Sequence, residues 1–94
     1  MRLTGDTVHF RSTYEWFRTE RAGEKPNTVR IMDEADYEAL RGEAPRRITI
    51  TCVDPTPIST YGAEAREFTR PVTGVFRLGE LFGKTVVMIC WRQP

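Results

Sequence analysis

Three side chains near the start of the chain have the types and spacing to hold an anion. Lys25, Thr28 and Arg30 stand in the stretch GEKPNTVR as Lys-x-x-Thr-x-Arg. The chain has only two lysines against twelve arginines, so a lysine here is a distinct choice. In an extended segment Thr28 and Arg30 are two residues apart and share a face. Lys25 enters from the adjoining turn, so that ammonium, hydroxyl and guanidinium can converge on a phosphate, another anion or a nucleobase carbonyl. Desolvation of the lysine would lower its pKa and let it act as a base toward the Thr28 hydroxyl. The alternative is plain surface chemistry, with Lys25 solvated, Thr28 a strand former and Arg30 paired with Glu24 or Asp33.

The elements around this stretch follow from local signals. TVHFRS alternates enough for a strand. Ser12 and Glu15 have capping-box spacing, and TYEWFRTERA continues as a helix of about three turns, with Tyr14 and Phe17 on one face and Trp16 at its flank. Gly23 is a left-handed stop. Pro26 bars further helix and biases Lys25 toward an extended backbone. NTVRIM reads as a second strand. Asp33 can cap a short helix through about Leu40, ended by Gly42 and Pro45. RITITCV has period-two alternation. DPTPISTYG is a loop by its prolines and glycine. REFTRPVTGVFR is a strand whose Pro71 and Gly74 imply an edge or a bulge. GELFGK is a turn or a single helical turn, and TVVMICW is a continuous apolar strand suited to a central position. The order strand, helix, strand, short helix, three strands makes the chain α+β, a small mixed or curled sheet carrying a helix, in one domain over residues 1–94.

Composition narrows the function classes. Net charge is +1, which argues against a generic polyanion binder. Residues 33–43 hold five acids and one arginine, whereas from Ala44 onward seven basic residues face four acidic ones. Arg46, Arg47, Arg66, Arg70 and Arg77 either form a basic face for phosphates or lie singly on solvated strands. No apolar run approaches the ~20 residues of a membrane span, and the first ten residues lack the apolar stretch of a signal peptide, so a cytoplasmic location is expected. Cys52 and Cys90 sit in strand patterns outside any CxxC, with the single His9 far from both, which points to reduced thiols and to no metal or other cofactor.

The layout HFRSTYEWFRTERAGEKPNTVRIMDEADY resembles the start of ASCH domains, members of the PUA-like superfold, and is most similar to an ASCH-like family common in bacterial and phage genomes. The features that carry the likeness are His9 in the first strand, STYEWF in the helix, the GEKPNTVR turn and the apolar KTVVMICW strand. The resemblance implies a small pseudo-barrel of about five strands with one main and one short helix. It implies RNA or a modified nucleotide as ligand, in a cleft beside residues 23–30, with Lys25, Thr28, Arg30, His9 and Trp16 as the binding residues. A second activity is implied by small ASCH proteins similar to amidohydrolases that deacetylate N4-acetylcytidine. On that pattern Lys25 activates Thr28 as nucleophile, and Glu80 is the nearest match in chain order for the assisting glutamate, with Glu67 an outsider. A third reading, an accessory protein-interaction domain, fits the same sequence.

Overall fold

The computed structural model describes residues 1–53 and 67–92. Eight elements follow one another: β1 (Arg2–Thr4), β2 (Thr7–Ser12), α1 (Tyr14–Ala22), β3 (Asn27–Met32), α2 (Glu34–Glu43), β4 (Arg47–Cys52), β5 (Glu67–Leu81) and β6 (Lys84–Trp91). The loop expected over 54–62 lies outside the described residues. The strands form one mixed sheet in the order β1-β2-β4-β5-β6-β3, with β2 and β4 parallel and every other pair antiparallel. The α+β class is as expected, but there are six strands and the sheet is open, not closed into a barrel. The strand not anticipated is β1. Its three residues pair with β2 across the tight Gly5–Asp6 turn, too short a stretch for alternation to register.

Alternation decides which side chains form the core. Val8 and Phe10 of β2, Ile48, Ile50 and Cys52 of β4, Phe68 of β5, and Val87, Ile89 and Trp91 of β6 point to one side of the curled sheet. Phe17 of α1, Leu40 of α2 and Met32 of β3 complete the cluster. Phe17, Phe68 and Trp91 stack obliquely, with centroids 5.4 and 5.9 Å apart, an arrangement aromatic quadrupoles favour. Trp91 is therefore a core residue and offers no face to a ligand. Cys52 is buried and Cys90 is half-buried.

β5 turns the sheet. Its first part, through Pro71, pairs with β4, and from Val72 it pairs with β6. Register shifts fall between Val72 and Gly74 and between Arg77 and Gly79, which is the bulging that Pro71 and Gly74 signalled. The β5–β6 hairpin closes on Phe82 and Gly83, both at positive φ, 51° and 77°. α2 runs past Gly42 to Glu43 and ends on Ala44 in the left-handed region. A single glycine costs a helix only about 1 kcal/mol, so Gly42 did not stop it.

Two capping expectations resolve differently. Gly23 ends α1 in the left-handed conformation, φ 83°, as its position demands. The Ser12–Glu15 box does not form. The N-cap is Thr13, without a side-chain cap bond, and Ser12 is the last residue of β2. Asp33 does occupy the N-cap of α2, but its carboxylate takes the Lys84 ammonium and not a helix N–H.

Among the described residues no helix is long and apolar enough to cross a membrane.

Candidate functional site

β3 lies at one edge of the open sheet, and curling brings it back toward β2. Arg30 spans the gap. Its Nη1 donates to the Arg11 carbonyl at 2.7 Å and its Nη2 to Ser12 Oγ at 2.8 Å, while Nε donates to Thr28 Oγ1 at 2.9 Å. The guanidinium also stacks on Phe10, 4.8 Å from the ring centroid. All three acceptors are neutral. Burial lowers the Arg30 pKa from its ordinary value, and the Glu20 carboxylate offsets this in part. The group stays charged at any ordinary pH, so it is a cation short of solvent and, among the described residues, without an ion-pair partner in bonding contact.

Beside it stands a buried carboxylate. Glu20 of α1 is 1% exposed. One oxygen accepts Ser12 Oγ at 3.0 Å and the other accepts Lys25 Nζ at 3.4 Å. Lys25 also donates to the Asn27 carbonyl at 3.0 Å and lies 5.2 Å from the centroid of the Trp16 ring. Trp16 itself is 58% exposed, because it sits on the flank of α1 away from the Phe17 face.

These groups line one cleft of about 470 Å³, bounded by Arg11, Ser12 and Thr13 at the end of β2, Trp16 and Glu20 on α1, and Lys25, Thr28, Val29 and Arg30 from the turn and β3. Two cations, Lys25 and Arg30, face one carboxylate, so the cleft carries a positive surplus. Its chemistry is that of an anion site with an aromatic wall: a guanidinium and an ammonium for negative charge, an exposed indole for a planar group.

Four of the residues read from the sequence, Trp16, Lys25, Thr28 and Arg30, meet in this cleft. Thr28 is 2% exposed and its hydroxyl oxygen already accepts from Arg30. His9 is not among the lining residues. It lies on the outer side of β2, next to Thr49 in register, in a neighbouring depression with Met1, Arg2, Arg11, Arg30 and Thr51. Glu80 is at the far end of the sheet. It pairs with Thr85, whereas Asn27 beside Lys25 pairs with Cys90, and five residues of strand separate those rows by about 17 Å. Glu80 binds Arg77 instead, at 3.3 Å. The arginines proposed as a basic face are likewise dispersed: Arg47 pairs with Asp6, Arg77 with Glu34 and Glu80, and Arg70 reaches the Arg21 carbonyl. Arg66 lies outside the described residues.

Sequence reasoning missed Ser12 and Glu20. Ser12 was assigned to helix capping. The signal for Glu20 was present: it falls three residues after Phe17, so a carboxylate continues the buried stripe of an amphipathic helix. Such a residue requires a partner, and Lys25 stands five residues on, just past the Gly23 stop. Comparison of the chain with family models, curated proteins and solved structures found no match.

Proposed function

We propose that the chain is an ASCH-like domain of the PUA superfold that binds single-stranded RNA or a nucleotide in the cleft between α1 and β3. One observation carries this reading: the exposed Trp16 ring stands within a single cleft beside Lys25 and the undersolvated Arg30, which has no ion-pair partner among the described residues. A π-face for a base next to cations for phosphate is the combination by which proteins hold unpaired nucleotides. The order of strand, helix, Gly-x-Lys turn and Thr-x-Arg strand that suggested the family supports the same reading. The sheet is open where the family resemblance implied a pseudo-barrel, yet it curls far enough for Arg30 to bridge β3 to β2.

The hydrolytic alternative draws less support. Thr28, its nucleophile, is buried with its oxygen engaged by Arg30, and Glu80 is remote from Lys25. The carboxylate that does meet Lys25 is Glu20.

Tryptophan fluorescence tests the binding reading directly, since Trp91 is buried and Trp16 is not. Titration with short single-stranded RNA should quench emission, with affinity falling steeply as salt rises. Trp16→Ala and Lys25→Ala, each read by fluorescence anisotropy of a labelled oligonucleotide, should each weaken binding about tenfold. Absent binding, or binding indifferent to salt and to both substitutions, would refute it.

A further inference from the structure

The outer face of the sheet changes character along its width. On the β1-β2-β4 half it carries Arg2, Thr4, Thr7, His9, Arg47 and Thr49. On the β5-β6-β3 half it is apolar. The register sets Val29 of β3 beside Met88 of β6 and Met88 beside Phe76 of β5, and in the next row it sets Ile31 beside Val86, with Leu78 at the adjoining bulge. Val29, Ile31, Phe76 and Leu78 are about half exposed, and Val86 and Met88 partly so. Both helices pack on the opposite side, α1 through Phe17 and α2 through Leu40, so neither covers this face.

We propose that this face is a dimer interface, packed against the same face of a second copy about a two-fold axis. Its area is right. These side chains leave roughly 450 Å² of apolar surface exposed per protomer, and since about two-thirds of a homodimer interface is apolar, two such faces imply a total of about 1,400 Å², within the standard range for a stable interface. Its charge is right too. No ionisable side chain lies within the two rows, and at their border Lys84 is neutralised by Asp33 of the same chain, so self-apposition brings no like charges together. With a net charge of +1 the whole molecules repel little. The Phe76 ring folds down over Gly74, so closely that a Cβ there would stand 2.6 Å from it, and so lies along the sheet instead of projecting from it. Two sheet faces of this kind pack about 10 Å apart in the way sandwich layers do. A lipid surface fits less well, because the cation at the border of the patch, Lys84, is held by Asp33 and is not free to meet headgroups.

Sedimentation equilibrium of the full chain from micromolar to sub-millimolar concentration tests the proposal. The expected species has twice the 10.9 kDa chain mass. Phe76→Glu and, separately, Ile31→Lys should each weaken self-association about thirtyfold or more, with far-UV circular dichroism confirming the fold. Thr4→Glu on the polar half should leave it unchanged. A monomer at every concentration would overturn the proposal, as would a dimer indifferent to both interface substitutions, the result expected of pairing through the β3 edge alone. Flotation of monomeric protein with phosphatidylcholine vesicles would overturn it as well.

Discussion

Replacing Glu20 by glutamine should move stability and ligand affinity in opposite directions. The wild-type carboxylate is buried, accepts Ser12 Oγ at 3.0 Å and Lys25 Nζ at 3.4 Å, and sits in a cleft with the cations of Lys25 and Arg30. Glutamine keeps the shape and removes the charge. Its amide presents one acceptor and one donor where two acceptors stood, so either Lys25 or Ser12 faces an N–H. Downgrading the Ser12 bond from charged to neutral costs about 1 kcal/mol. The loss at Lys25 is smaller than for a fully buried pair, because that side chain is 31% exposed and keeps its bond to Asn27, which leaves about 1 kcal/mol. With the misplaced donor added, the expected destabilisation is about 2–3 kcal/mol. In urea denaturation this lowers the midpoint by about 1–2 M at unchanged slope. The same substitution removes a negative charge beside any phosphate held by Arg30 and Lys25, worth about 1 kcal/mol or roughly a fivefold tighter dissociation constant. Stability within about 0.5 kcal/mol of wild type would refute the placement of this carboxylate as a buried acceptor, a difference that size being no larger than ordinary surface substitutions give. Weaker binding of an anionic ligand would refute the cleft as an anion site in which Glu20 is the opposing charge.

Two further substitutions test the frame around the cleft. Arg30→Lys keeps the positive charge but cannot reach Arg11, Ser12 and Thr28 together, and it should cost about 1–3 kcal/mol in thermal or chemical unfolding; an unchanged transition would mean the fork does not hold β3 to β2. Phe82→Asn should raise stability by about 0.5–1 kcal/mol, or about 3–6 °C in melting temperature, because Phe82 is 96% exposed and stands at φ 51° in a two-residue hairpin turn before Gly83; a lower melting temperature would show that its ring is buried in the assembled protein.

What the sequence disclosed was whatever repeats with a period or stops with a proline or glycine. β2 falls on the segment read from alternation, residues 7–12, because one of its sides is buried and the period is visible, whereas β3 over 27–32 alternates with its apolar Val29 and Ile31 on the exposed side. β6 was legible as central because it is apolar on both faces and flanked by β5 and β3. β1 escaped since three residues hold no pattern. Ser12 was misassigned because a serine followed three residues later by glutamate suits a capping box and a strand end alike, and only the approach of β3 decides between them. Glu80 was chosen by chain order, but β5 is fifteen residues long, which carries that glutamate past the cleft. Closure into a barrel could not be read locally, for it depends on whether two edges separated by most of the chain hydrogen-bond or merely come near.

That near approach is what makes a site possible. Had β3 laddered onto β2, their facing backbone groups would satisfy one another and leave no wedge between them. Instead the seam is held by one side chain, Arg30, and the space beside it is the cleft. The same strand faces two ways. Thr28 and Arg30 point inward beside Ile89 and Val87, while Val29 and Ile31 point outward beside Met88 and Val86. A one-residue slip of β3 would bury Val29 and Ile31 but would turn Arg30 outward, away from Arg11 and Ser12, and leave Glu20 with only Lys25 for a cationic neighbour. The buried carboxylate on α1 therefore favours the register that builds the cleft, and fold and site are specified by the same few polar contacts. Apolar patterning on β3 alone would turn Val29 and Ile31 inward, and it is Glu20 and Ser12 that select the face Arg30 takes.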